Sequence, residues 1–337
     1  MSDTRTLVAE AIAATRIHPP TRYAWFGQLS PSPSARVARQ LSARAARDHL
    51  VNQLTGQLYG DFYRRGRAEP NRWGVVGSAA TREEFEAALS AANGGTGYLD
   101  PDWLVLAANP TELTITKGGL ELVVSPTELA GAGAPDAGDR VAIRRPKELF
   151  DISPGFYLVS SDRPVQPSAD RRVVRLYWNL RADGAVPFVA AATRLFNDTG
   201  LAFQLKVLND PSAFSRCDAG VIYLTGDDYP KAADLIDAVH GQIANLLWPR
   251  TPVFTAELAP GLGMAEDPGT SESFGMHRCR LLADALVRAH ESGWTDEAGV
   301  LATVEARFAE NGIDLDAAHL SPTGMNSTPA AELVRVP

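Results

Sequence analysis

The chain has 337 residues, 45% hydrophobic and 21% charged, the balance of a globular protein with enough apolar surface for a real core and a length for one large domain or two ordinary ones. Its net charge of -8 excludes a general nucleic-acid coat and leaves room for a local basic pocket. Cys217 and Cys279 supply neither a disulfide framework nor a zinc set, no run approaches a membrane span, and the start MSDTRTLVAE is no signal peptide, so the expected location is cytoplasmic.

In chain order, Thr4–Arg16 reads as a helix capped by Asp3, with Leu7, Val8, Ala11 and Ile12 as its apolar stripe, ended by His18-Pro19-Pro20. Ser34–Arg65 is mostly helical by spacing, with Gly56 and Gly60 as interruptions. The cluster Arg64, Arg65 and Arg67 at its end reads more readily as a solvated helix C-terminus, favoured by the macrodipole, than as a ligand site. Thr81-Arg82-Glu83-Glu84 has the form of a capping box, and Phe85–Ala92 continues that helix. The run Asn93–Gly97 follows a helix and leads into a strand, the reverse of a phosphate loop, and lacks the Lys-Ser/Thr ending; it reads as a connector.

Short alternating segments follow. Trp103–Ala108, Glu112–Lys117 and Leu120–Ser125 read as strands, with Lys117-Gly118-Gly119 as a hairpin turn, Ala130–Gly138 as a loop and Arg140–Arg145 as a further strand. Gly155–Ser160 and Val173–Asn179 are two more. In the latter, Val174, Leu176 and Trp178 take one face, and Arg175, Tyr177 and Asn179 the other. Ala185–Asn197 is an amphipathic helix. In Leu201–Leu224, Phe203, Leu205 and Val207 alternate with Gln204 and Lys206, Asn209-Asp210-Pro211 stops the strand, and a second strand covers Asp218–Leu224. Antiparallel pairing of the two gathers Lys206, Arg216 and Asp218 at one end of a hairpin, as a phosphate-type site or as a surface salt bridge.

Tyr229–Leu247 reads as a helix carrying His240, a packed or surface residue by default. Thr251–Thr270, broken by Pro252 and Pro260, reads as a long irregular segment containing Glu257, Gly261 and Glu266. Ser273 caps a helix that runs to Glu291 and carries His277 and Arg278; its free N-terminal amides suit an anion, and a plain capped helix explains it equally. A last helix covers Thr295–Asn311, and Leu320–Pro337 reads as a loose tail. The whole is α+β: an N-terminal helical region (1–95), a largely antiparallel sheet domain flanked by helices (96–325), and a tail (326–337). Zinc-protease, deaminase, nucleophile-elbow and kinase signatures are absent, and six scattered histidines show no metal-ligand spacing.

Five segments in order resemble one family: Pro154-Gly155-Phe156-Tyr157, Val174–Asn179, Phe203-x-x-Lys206-Val207-Leu208-Asn209-x-Pro211, Arg216-x-Asp218-x-x-x-x-Tyr223, and Ser273-Phe274-Gly275-x-His277-Arg278. Over Pro70–Glu291 the chain resembles the HopA-type effector family, which includes a type III effector and the stand-alone lyases of class V lanthipeptide and thioamitide pathways. The resemblance implies a phosphoserine/phosphothreonine lyase. A kinase similar to aminoglycoside phosphotransferases would phosphorylate a ribosomal precursor peptide, and this chain would eliminate phosphate to leave dehydroalanine or dehydrobutyrine. A further cyclase or decarboxylase of the same pathway is an implied partner. It implies no metal and no cofactor, no nucleic acid and no membrane.

Elimination needs a base, cations for the departing phosphate, and a proton donor. Lys206 is the expected base. At its reference pKa a lysine is neutral in only about one copy in 2,500 at pH 7, a penalty neighbouring arginines and burial reduce. Arg175, Arg216 and Arg278 are the expected phosphate ligands, with Arg145 a weaker fourth. Asp218 would orient Lys206 or an arginine; Asn179, Tyr223 and Glu266 complete the orienting or substrate-binding set. The chain departs from the related OspF-type lyases at Leu208, where those have a histidine two residues after the lysine. The acid then falls to His277 first, and to Tyr177 or Tyr223 second. Two other readings stand beside the lyase: a HopA-type effector or interaction module that binds a partner protein without chemistry, and a protein whose basic pocket holds another phosphorylated ligand. A Ser-rich, weakly structured start is usual for a type III effector; the helix expected here favours the biosynthetic enzyme.

Overall fold

The computed structural model describes residues 4–34, 36, 40–70, 81–131, 133–165 and 172–322. The Asp3 cap and most of the expected tail lie outside them. The fold is α+β. Its centre is a seven-stranded, wholly antiparallel sheet in the order β13-β14-β10-β12-β11-β9-β8. The strands are β8 (Glu148–Ser153), β9 (Phe156–Ser160), β10 (Val173–Trp178), β11 (Gln204–Leu208), β12 (Gly220–Thr225), β13 (Ala256–Ala259) and β14 (Leu262–Glu266).

Period-2 alternation gives this sheet two different faces. Leu176, Trp178, Leu205, Val207, Ile222 and Leu224 point one way, into a core shared with α3 (Arg82–Ala92), α4 (Ala185–Asp198) and α5 (Ala233–Ile243). Val173, Tyr177, Val221, Tyr223 and Ala265 point the other way, onto α2 (Ala43–Asp61) and α6 (Phe274–Glu291), with α1 (Thr4–Ala14) and α7 (Glu297–Ala309) in the same core. α1 and α2 therefore share one of the two layers that cover the sheet with α6 and α7, while α3 lies in the other. Ser42 caps α2, Thr81 and Glu84 form the expected capping box of α3, and Ser273 caps α6.

A separate four-stranded sheet in the order β6-β5-β4-β7 comprises β4 (Tyr98–Ala108), β5 (Leu113–Lys117), β6 (Leu120–Val124) and β7 (Arg140–Arg145). It encloses its own small core of Trp103, Val105, Leu113, Ile115, Val124 and Ile143.

Three stretches differ from the sequence expectation. The first helix ends at Ala14, and Thr15–His18 is a strand (β1) that pairs with β2 (Arg22–Trp25), itself paired with β3 (Gln28–Leu29). Thr15 and Ile17 are β-branched, and Trp25 is nearly sealed beneath this meander. The segment Thr251–Thr270 contains the β13–β14 hairpin. Gly261 turns it at φ 77°, and a Cβ there would meet the Trp248 carbonyl oxygen at 2.5 Å. Tyr229–Leu247 is helical in three pieces, with 3-10 turns either side of α5.

Candidate functional site

The register of the central sheet brings the polar residues of three strands to one face. Lys206 pairs with Val221, which pairs with Tyr177; one row along, Gln204 pairs with Tyr223, which pairs with Arg175. Lys206, Tyr223, Arg175 and Tyr177 thus share the face that α2 and α6 cover.

The Lys206 ammonium lies 4.7 Å from the Phe156 ring centroid and 5.6 Å from that of Tyr223. Among the described residues it makes no hydrogen bond and no ion pair. Tyr223 is shared: the Arg175 guanidinium lies 5.3 Å from the same ring. Arg175 pairs with Asp267, directly after β14, through Nε at 2.9 Å and through Nη2. Burial alone would lower the Arg175 pKa, but Asp267 raises it well above the usual value, so the guanidinium stays charged.

Arg216 also lies over the Phe156 ring, 5.5 Å from its centroid. It grips Asp218 with two donors, Nη2 at 2.6 Å and Nε, and Nη2 also donates to the Tyr59 hydroxyl at 3.2 Å. Burial pushes the Asp218 carboxyl up, but Arg216, then Arg64 and Lys206, more than offset it and hold it below the usual range. Burial, then Asp218, raises the Tyr59 phenol to about 12.

Arg64 enters this group from the N-terminal layer. Its guanidinium lies 5.7 Å from the Tyr59 centroid, and its Nε is buried with no hydrogen-bond partner among the described residues. The turn that carries it, Tyr63–Arg65, is bonded to the loop before β12: the Cys217 N–H donates to the Arg64 carbonyl at 2.7 Å, and Arg65 Nη1 donates to the Ser215 carbonyl. Tyr63 packs edge-on against Tyr177 at 6.5 Å, and both rings touch Phe274. Burial raises the phenol pKa values of Tyr63 and Tyr177, so both keep their protons at neutral pH.

Arg278 lies close enough to Tyr177, Tyr63 and Asp267 to interact with them electrostatically, but it has 0% exposure and each of its nitrogens already donates: Nε to the Ala318 carbonyl, Nη2 to the Leu320 carbonyl, Nη1 to His277 Nδ1 at 2.6 Å. A guanidinium only donates, so His277 Nδ1 accepts. Burial, then Arg278 and Arg280, bring the His277 pKa down to about 4, which leaves the ring neutral at pH 7. Asn179 is buried beyond β10, its amide on the Arg250 carbonyl at 2.8 Å. Glu266 accepts from Arg172 and from the Ser321 N–H. Arg145 ends β7 in the four-stranded sheet, paired with Tyr98.

Tyr59, Tyr63, Arg64, Phe156 and Asp267 belong to the site and are absent from the sequence candidates. Only Arg64 left a usable signal, as one of three arginines closing a helix. Among the described residues no group of three or more His, Cys, Asp and Glu is arranged to hold a metal ion, and no helix is long and apolar enough to cross a membrane.

The family model of the HopA1 effector protein family matches residues 150–320, just over half of the 337 residues. The chain belongs to the HopA1 effector family. The matched span contains Lys206, Arg175, Arg216, Asp218, Tyr223 and Asp267, while Tyr59, Tyr63 and Arg64 lie before it. Among solved structures the chain is similar to the effector protein from Pseudomonas syringae pv. tomato strain DC3000, at 19% identity over 81% of this chain and 95% of that one, TM-score 0.48. It is also similar to the effector protein from Pseudomonas syringae pv. syringae strain 61, at 15% identity over 81% and 96%, TM-score 0.45. No curated protein matches the chain.

Proposed function

We propose that this HopA1-family chain is a metal-independent phosphoserine/phosphothreonine lyase acting on a kinase-phosphorylated precursor peptide. The observation that carries the reading is Lys206: an amine without a carboxylate partner among the described residues, held between two aromatic rings beside Arg216. A lysine in that setting suits proton abstraction better than structural pairing.

In the proposed step Lys206 Nζ takes the α-proton of the phosphorylated residue. The C–H electron pair forms the Cα–Cβ double bond, the Cβ–O bond breaks, and phosphate departs with that bond's electrons. Arg216 offers its outward donors to the growing phosphate charge, with Arg175 one strand further. Tyr223, between Lys206 and Arg175, is the phenol best placed to donate to the leaving oxygen; the buried, neutral His277 is not.

Mass spectrometry of phosphothreonine and phosphoserine peptides incubated with the pure protein, without metal, tests the reading. Loss of the elements of H3PO4 supports it, and Lys206→Ala should then abolish the loss while leaving the melting temperature in place. Loss of HPO3 means hydrolysis and overturns the mechanism. Membership of the HopA1 effector family favours a second reading, an effector that binds a phosphorylated partner without chemistry. Tight binding of the cognate phosphopeptide with no mass change would select it.

A further inference from the structure

Arg64 is a cation placed where another cation already stands. Burial and the neighbouring Arg216 both work against its charge. Among the described residues its close side-chain contact is the Tyr59 ring, whose hydroxyl takes Arg216 Nη2 at 3.2 Å and lies 3.5 Å from Asp218, whose charge favours that of Arg64. No carboxylate among the described residues bonds it, and its Nε is an orphan donor. Backbone geometry holds the two arginines near each other: the Cys217–Arg64 backbone bond fixes the arginine's turn against the loop before β12 that carries Arg216 and Asp218.

Arg64 and Arg216 share the single carboxylate Asp218, with the Lys206 amine beside them, while Arg175 is neutralised by Asp267. The two arginines on the Lys206 side therefore keep positive charge that Asp218 alone does not balance, and it grows with each proton Lys206 holds. A phosphate monoester carries about -1.5 to -2 at pH 7, whereas a sulfate ester or phosphodiester of similar shape carries one charge.

We propose that Arg64, supplied by the N-terminal layer, makes this site selective for the dianion of a phosphate monoester over singly charged tetrahedral esters. The assignment rests on the phosphate reading of the site and not on elimination. Arg64 acts here as a specificity residue: it completes the charge match and leaves the proton transfer to Lys206.

Phenyl phosphate and phenyl sulfate test it by calorimetry on the full chain at neutral pH, since neither can undergo β-elimination. The wild type should bind phenyl phosphate about tenfold or more tightly than phenyl sulfate. Arg64→Gln should lose about tenfold for the phosphate and little for the sulfate, with an unchanged melting temperature, and Arg64→Lys should restore part of the difference. An unchanged ratio in folded Arg64→Gln, or no preference in the wild type, overturns the assignment. The two readings fail separately. Charge discrimination without turnover of phosphothreonine peptide removes the lyase and keeps Arg64; turnover with unaltered KM in Arg64→Gln removes Arg64 and keeps the lyase.

Discussion

Neighbouring side chains His277 and Arg278 illustrate how position in a chain and role in a fold come apart. Both fall in the motif Ser273–Arg278 that the sequence singled out, yet Arg278 ties α6 to the backbone of Ala318 and Leu320. His277 is buried beside it. Its folded pKa of about 4 lies below the ordinary value of 6.5. Between those two values the unfolded chain binds a proton that the folded chain does not, so stability falls as pH drops from about 6.5 to about 4 and levels off below. The size is on the order of 3 kcal/mol. Denaturant unfolding at pH 7.0, 5.5 and 4.5 should show this loss, and His277→Gln should flatten that part of the slope; a slope unchanged in the variant would assign it to other groups. At this scale the sequence exposed what strand alternation controls. Lys206, Arg175, Tyr177 and Tyr223 share a face because residues two apart do, and Arg216 meets Asp218 because they are neighbours but one. Tyr59 and Asp267 were illegible for the converse reason: each reaches the site from a distant element with nothing local to mark it, and the arginine cluster that holds Arg64 marked only a helix end.

Among the elements, α6 and the turn after α2 are fitted to one another at Gly275. A Cβ on Gly275 would come within 2.3 Å of the Tyr63 ring, which is itself nearly sealed against Tyr177 and Phe274. Gly275→Ala therefore overpacks a contact with no room to relax, at a cost of about 1–3 kcal/mol. It should lower the melting temperature and also weaken phenyl phosphate binding, because Tyr63 immediately precedes Arg64. Loss of stability with binding intact would uncouple the two. Helix caps and the β11–β12 hairpin were readable because their signals are short and local. The β13–β14 hairpin was not: Gly-Leu-Gly-Met-Ala carries little alternation, and the strand is recognisable only through its pairing with β10. The β1–β3 meander was hidden by the helix before it, whose pattern gives no clear stop before Pro19.

For the whole molecule, the seven-stranded sheet is the shared wall of two cores, and the site sits where one of them comes to the polar end of the wall. The family match begins at residue 150 and so takes in nearly all of the wall with α4 and α5 behind it, but neither α3 nor the turn that brings Arg64. That division explains why the sheet domain was legible as α+β while the role of the first helices was not: their packing partners are α6 and the sheet, far along the chain.

The bond between Arg216 and Tyr59 spans 157 residues of sequence, so the group around Lys206 is assembled late in folding. A nascent or refolding chain can form α2 early and the β11–β12 hairpin on its own, but neither holds a phosphate-type ligand until the two halves close a very long loop, a slow kind of event. Ligand capture then reports the final closure rather than the first collapse. In stopped-flow refolding, the gain in phenyl phosphate binding should lag the change in tryptophan fluorescence, and the lag should persist at saturating ligand; simultaneous traces would mean that the two halves dock as the core forms.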